Sequence, residues 1–254
     1  MKSRLIYLGS TLLIIVLSMA FLQIDKNSSY HRVHQHRQSQ WQDDQNEKDG
    51  EQQTHIPIVR INTGGQKVPG TPIVDENGEW IAFETASDRK TTIVASFSVI
   101  DHENGLNHLT DEPTLTSLAN IRYRGNSSRY FDKKSYSIHL INDDGTDNNQ
   151  EIMGMSAHNE WVLNGPFLDR SLLRNYVAYN ITGEIMDYAP NVRYCELYVD
   201  GVYQGLYLCI EAISKGIGRI NLKKPEKNSS VTGYIVRYDR EGKGDHELND
   251  FVYY

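Results

Sequence analysis

The residues best suited to chemistry lie near the middle of the chain, in Arg122-Tyr-Arg124-Gly-Asn126-Ser127-Ser128-Arg129 and in Lys133-Lys134 just beyond it. Gly125 and Asn126 mark a turn. A turn with consecutive backbone N–H groups can cradle phosphate, and hydroxyls and guanidinium groups beside it add donors. The same residues also suit a structural turn in which Asn126 satisfies its own backbone. Lys133 and Lys134 open a run in which Tyr136, Ile138 and Leu140 alternate with Ser135, Ser137 and His139. Parity puts Lys134 on the apolar face and Lys133 with the serines. An ammonium on an apolar face needs a partner or a ligand, unless its stem carries it out to water. Lys134 is therefore the first candidate for a binding role and Lys133 the second.

Other groups weigh less. His31, His34 and His36 have a spacing that can hold a metal, but they lie in a Gln-rich polar stretch that provides no fixed ligand geometry. Cys195 and Cys209 are too few for a disulfide framework. The net charge of −7, with Lys and Arg scattered along the chain, leaves no basic stripe for a nucleic acid.

The elements that must position these residues read mainly as strands. Ile56–Asn62, Trp80–Phe83, Thr91–Val99, Ala119–Arg124 and Lys134–Ile141 are short β-branched or alternating runs bounded by turn residues. Val192–Val199 and Val202–Ile210 form a hairpin across Asp200-Gly201, a pair suited to a type I′ turn. With Val199 opposite Val202, Cys195 faces Leu206, and the two thiols fall on opposite faces of the ribbon unless a bulge shifts the register. Gly233–Arg240 reads as a further strand. One helix is expected over Asp169–Met186, with Asp169 as N-cap and Leu173, Val177, Ile181 and Ile185 as its buried stripe. Within it Asp169, Arg174 and Asn175 are read as structural. The class is α+β, mostly antiparallel sheet with few helices.

The N-terminus sets the compartment. Lys2 and Arg4 precede an uncharged run from Leu5 to Leu22, which fits a signal-anchor or a cleaved signal peptide. The positive flank keeps the N-terminus in the cytoplasm and sends the rest across the membrane. The organisation is then 1–25 as membrane segment, 26–55 as a disordered polar linker and 56–254 as the folded part. The protein is expected to be membrane-anchored facing outward, or secreted.

Three ordered stretches carry a family resemblance. Ile121-Arg-Tyr-Arg-Gly-Asn-Ser-Ser128 with Lys133-Lys-Ser-Tyr136 resembles the R-x-R-G-N-S-S…K-K-S-Y signature of the spore coat protein H (CotH) kinase-like family. Trp161-Val-Leu with Asp169-Arg-Ser-Leu-Leu-Arg-Asn175 resembles its W-x-L…D-x-S-L-L-R-N segment. Tyr198-Val-Asp-Gly-Val-Tyr-Gln-Gly-Leu-Tyr-Leu-Cys-Ile-Glu211 resembles its tyrosine-rich hairpin. The resemblance runs from about Ile56 to Asp239. It implies an atypical protein-kinase-like fold that uses ATP and Mg2+ on secreted, surface or coat proteins. It places Lys134 or Lys133 against the nucleotide phosphates and Arg124, Asn126 and Ser127 beside them. Glu211 is then either the ion-pair partner of that lysine or a strand-end glutamate. The family's catalytic aspartate and W-D-x-D-type segment are expected after the G-Y-I-x-x-x-D strand, beyond Tyr254. This chain alone is therefore expected to be inactive. A non-catalytic coat-assembly or adhesion scaffold on the same fold is the rival reading.

Overall fold

The period-two alternation of these strands is satisfied by closing them on one another. The computed structural model describes residues 32–38, 53–102, 106–222, 233 and 235. The compact unit ending at Ile220 is built on β1 (Ile58–Asn62), β2 (Ile93–Ile100), β3 (Leu115–Arg124), β4 (Ser135–Ile141), β5 (Glu160–Asn164), β6 (Val192–Val199) and β7 (Val202–Glu211). Around the barrel they run β5-β7-β6-β1-β2-β3-β4, and β4 pairs with β5 to close it. Every pair is antiparallel except β1 with β6, which run parallel. Tyr136, Ile138 and Leu140 point inward, as their parity requires. They meet Phe97, Ile121, Trp161, Leu163, Leu197 and Tyr207 in one buried cluster. A barrel this small is filled by its own side chains. The α+β reading, mostly antiparallel sheet with few helices, matches the architecture.

One end of the barrel is sealed by an ion pair. Arg219 is wholly buried, with Nη1 donating to Glu211 Oε1 at 2.8 Å and its guanidinium 4.6 Å from the centre of the Trp161 ring. Glu211 also accepts the Asn191 backbone N–H at 2.7 Å. Burial pushes the Glu211 carboxyl above its ordinary pKa, against the pull of Arg219 and Asn191.

The hairpin turn forms as its residues require, with positive φ at both Asp200 (49°) and Gly201 (78°). The cysteine geometry differs from expectation. A bulge between Leu197 and Tyr198 shifts the register, so Cys195 faces Tyr207 and Cys209 faces Arg193. Both thiols therefore lie in the same buried core, and both are free. As diagonal neighbours their Cα atoms stand about 7–8 Å apart, beyond the usual span of a bridge. Burial lifts the Cys209 thiol to about 12 and moves Cys195 in the same direction, which makes both unreactive.

The helix α1 (Arg174–Ile185) starts later than expected and is rotated. Tyr176 and Asn180 are its buried residues, while Leu173, Val177, Ile181 and Ile185 are exposed. Tyr176 stacks on Tyr194 of β6 at 4.8 Å, and Tyr194 Oη donates to Leu172 O. The outer face of β5, β6 and β7 thus takes aromatic rings with polar ends rather than the aliphatic stripe. Asp169 is not the N-cap: Leu173 holds that position without a side-chain cap, and Asp169 lies in the preceding turn, accepting from Arg174 N at 2.8 Å and Ser171 N at 3.1 Å.

Residues 32–38, inside the stretch expected to be a disordered linker, pack on this helix. Val33 is buried and donates its N–H to Asn191 Oδ1. Arg32 donates to the carbonyls of Ala189 and Tyr179. His34 contacts Asn180 and Glu184, and His36 contacts Tyr176 Oη. These two histidines are thus occupied in docking. A Cβ on Gly183 would lie 2.1 Å from the Arg32 guanidinium carbon, which accounts for glycine inside the helix. The expected membrane segment and most of the 233–240 strand lie outside the described residues. Among the described residues no helix is long and apolar enough to cross a membrane.

Removing either partner of the buried pair strands the other. Glu211→Ala or Arg219→Ala should each cost about 3–5 kcal/mol, measured by equilibrium chemical denaturation followed by circular dichroism.

Candidate functional site

The other end of the barrel is built from cations and tyrosines. β3 ends at Arg124, and a 3-10 turn (Ser127–Tyr130) leads back to β4, whose Ser135 pairs with Arg124. This brings Arg129, Lys133 and Lys134 to one end of the barrel, the mouth, with Arg122 and Arg124 on the outer face of β3 at its rim. Among the described residues none of the five is in an ion pair with a carboxylate. Arg124, Asn126 and Ser127 are exposed on the turn. Arg129 is buried over the Phe83 ring, 3.9 Å from its centre. Burial, then the Arg122 charge, holds its guanidinium below the ordinary pKa.

The floor of the mouth is aromatic. Tyr136 lies 5.3 Å from Tyr123 and 6.1 Å from Tyr207, centre to centre. Burial raises the pKa of all three phenols, so they remain neutral donors. Tyr207 Oη donates to Lys134 O at 2.8 Å and fastens the start of β4 to β7.

The two lysines exchange the ranking that parity assigned them. Lys134 does share the inward face, but its Nζ donates to Arg129 O at 2.6 Å and ties the turn to the strand. Its partner is a carbonyl, so its role is structural. Lys133 Nζ stands 4.8 Å from the centre of the Tyr207 ring and, among the described residues, makes no hydrogen bond. Burial lowers its pKa, with the Glu196 charge opposing. Gly205 makes this approach possible. Its φ of +91° suits glycine, and a Cβ there would sit 3.1 Å from Lys133 Nζ. A half-buried ammonium with no acceptor, over an aromatic face and among cations without a carboxylate partner, has the chemistry to receive an anion.

Glu211 does not join these lysines. It lies six residues beyond Gly205 on β7, about 20 Å further along the strand, where it holds Arg219 at the sealed end. Asn175 bonds to Asn164 Oδ1 and links the helix to β5. Gly205 and Tyr207 belong to the mouth although the sequence did not single them out, while Arg129 was read only as one of the guanidinium groups beside the turn.

The family model described as CotH kinase protein matches residues 121–252, just over half of the chain. The chain belongs to the CotH kinase protein family. The matched stretch starts within β3 and takes in the cationic turn, both lysines, α1 and the β6–β7 hairpin, so the whole mouth except Phe83 falls inside it. Comparison with curated proteins finds no match.

The donor set fits the phosphates of a nucleotide: one ammonium without an acceptor, exposed Arg124, and the Asn126 and Ser127 turn. It offers less to Mg2+. Among the described residues no group of three or more His, Cys, Asp or Glu side chains could hold a metal.

The two lysines should separate in stability. Lys134→Met breaks a charged hydrogen bond and should cost about 1.5–3 kcal/mol. Lys133→Met removes an unpaired half-buried charge and should be neutral or stabilising. Denaturant midpoints of the two variants check this.

Proposed function

We propose that the barrel mouth holds the phosphates of ATP and that the protein serves phosphoryl transfer to hydroxyl groups of secreted, surface or coat proteins. Lys133 takes the role that the family resemblance reserved for a phosphate-contacting lysine. The turn amides and hydroxyls at Asn126 and Ser127, with Arg124, complete the cradle. The reading includes an extracytoplasmic location, with the 5–22 run inserted in the membrane as an anchor. ATP would supply the transferable phosphoryl group. The protein's own contribution is to fix the phosphates by charge and to exclude water at the tyrosine floor.

The observation that carries this reading is the Lys133 ammonium. It is desolvated over Tyr207 and lacks an acceptor, whereas Lys134 and Arg219 have theirs. Membership of the CotH kinase protein family supports the choice of ATP over other anions.

Titration calorimetry of Mg-ATP into the detergent-solubilised full chain tests it. Lys133→Met should weaken binding by about tenfold or more, equivalent to about 1.4 kcal/mol. Lys134→Met should change it by less than about threefold. Absence of binding, or equal affinity in Lys133→Met, would overturn the assignment and leave the non-catalytic scaffold reading in its place.

A further inference from the structure

The exposed aliphatic face of α1 has no counterpart in the nucleotide reading. Leu168, Leu173, Val177, Ile181, Ile185 and Met186 are each 44–77% exposed. Val177, Ile181 and Ile185 wind along the 12-residue helix, about 18 Å long, with Leu173 and Met186 at its two ends and Leu168 before it. The opposite face, with Tyr176, Asn180 and Gly183, is packed on the barrel and on residues 32–36. An apolar strip of this size on a folded surface marks something that covers it.

What covers it is indicated by the attachment of the chain. The segment docked directly on α1 begins at Arg32, held by the carbonyls of Tyr179 and Ala189. Only nine residues, Gln23–His31, separate Arg32 from the end of the uncharged run at Leu22. Fully extended they reach about 35 Å. A chain inserted through that run therefore keeps the segment docked at Arg32, with the short helix Gln35–Gln38 and α1 beside it, within that distance of the bilayer surface. Exposed Arg170 stands at the N-terminal end of the strip, placed for an anionic headgroup, beside Arg174, which pairs with Asp169. Glu184, on the flank, is paired with His34. A helix packed on one side, with an exposed aliphatic stripe on the other and tethered near the interface, offers that stripe to whatever surface lies against it.

We infer that α1 lies in the surface of the lipid bilayer through Leu173, Val177, Ile181 and Ile185. This contact holds the barrel in a fixed orientation with its cationic mouth turned to one side. The inference rests on the membrane-anchor reading and adds to it a second, non-covalent contact of the folded part.

The test uses the full chain reconstituted in vesicles of phosphatidylcholine and phosphatidylglycerol. Single cysteines replace Ile181, Ile185 or, on the far side of the barrel, Val94, and each is labelled with an environment-sensitive nitrobenzoxadiazole dye. Cys195 and Cys209 are buried at 0% exposure and do not compete for the label. The expected result is a blue-shifted emission at 181 and 185, quenched severalfold more by doxyl-labelled lipid than the label at 94. That control label should instead be quenched by aqueous iodide. Labels at 181 and 185 as open to iodide as the one at 94 would overturn the lipid contact while leaving an inserted anchor intact. Labels shielded from both quenchers would also overturn it, since a protein then covers the helix. A chain recovered entirely in the aqueous fraction after alkaline carbonate would overturn the anchor reading and the lipid contact together.

Discussion

The pairing of β4 with β5, with Tyr136 opposite Leu163 and His139 opposite Glu160, closes the sheet and decides which side chains must be buried. Without it, Tyr136, Trp161 and Tyr207 would line an open edge, and that edge would be a template for association. With it, the inward residues of all seven strands fill a single core, and the barrel acquires two chemically different ends. At the sealed end the chain has provided its own counter-ion, Glu211 for Arg219. At the mouth it has gathered cations, none of them ion-paired with a carboxylate among the described residues.

That asymmetry matters because the two ends face the same electrostatic problem. Removing a charge from water is costly unless a partner or a ligand replaces the lost hydration. Arg219 is fully buried and is met by a carboxylate, a carbonyl and the Trp161 ring. Lys133 is half-buried, and its ammonium stands over the face of Tyr207, 4.8 Å from the ring centre. A fold under no other demand gains nothing from an unpaired ammonium there. The compromise is typical of binding sites, where a locally unfavourable charge is kept for the ligand it meets.

Much of this was legible in the sequence where the physics is local. Alternation located six of the seven barrel strands to within two or three residues at most of their ends, because a pleated strand shows its two faces at every second position, but β5 (Glu160–Asn164), too short to show a period, was not read as a strand. Asp200-Gly201 announced its turn because few pairs tolerate positive φ at both sites. The failures are non-local. The parallel contact of β1 with β6 joins residues far apart in the chain, and the bulge at Leu197 reversed the expected faces of Cys195 and Cys209. Parity placed Lys134 inward correctly, yet the carbonyl that satisfies it comes from the turn, whose path no periodicity encodes. On α1 the aliphatic stripe misled because tyrosine looks less apolar than isoleucine. The surface it meets offers Tyr194 and the docked residues 32–36, which tyrosine and asparagine can both pack against and hydrogen-bond. Residues 32–38 looked too polar to order, but one buried valine and several side-chain hydrogen bonds are enough when a partner surface already exists.

The most direct measurement is the residue-resolved rate of lysine acylation in the full chain, with and without Mg-ATP, read by peptide mass spectrometry. A lysine with a lowered pKa carries more free amine at neutral pH, and a lysine that meets phosphate loses that reactivity when the ligand binds. Lys133 should react ahead of Lys134 and be protected by Mg-ATP. Protection of Lys134 with Lys133 unchanged, or no protection of either, would contradict the account of the barrel mouth.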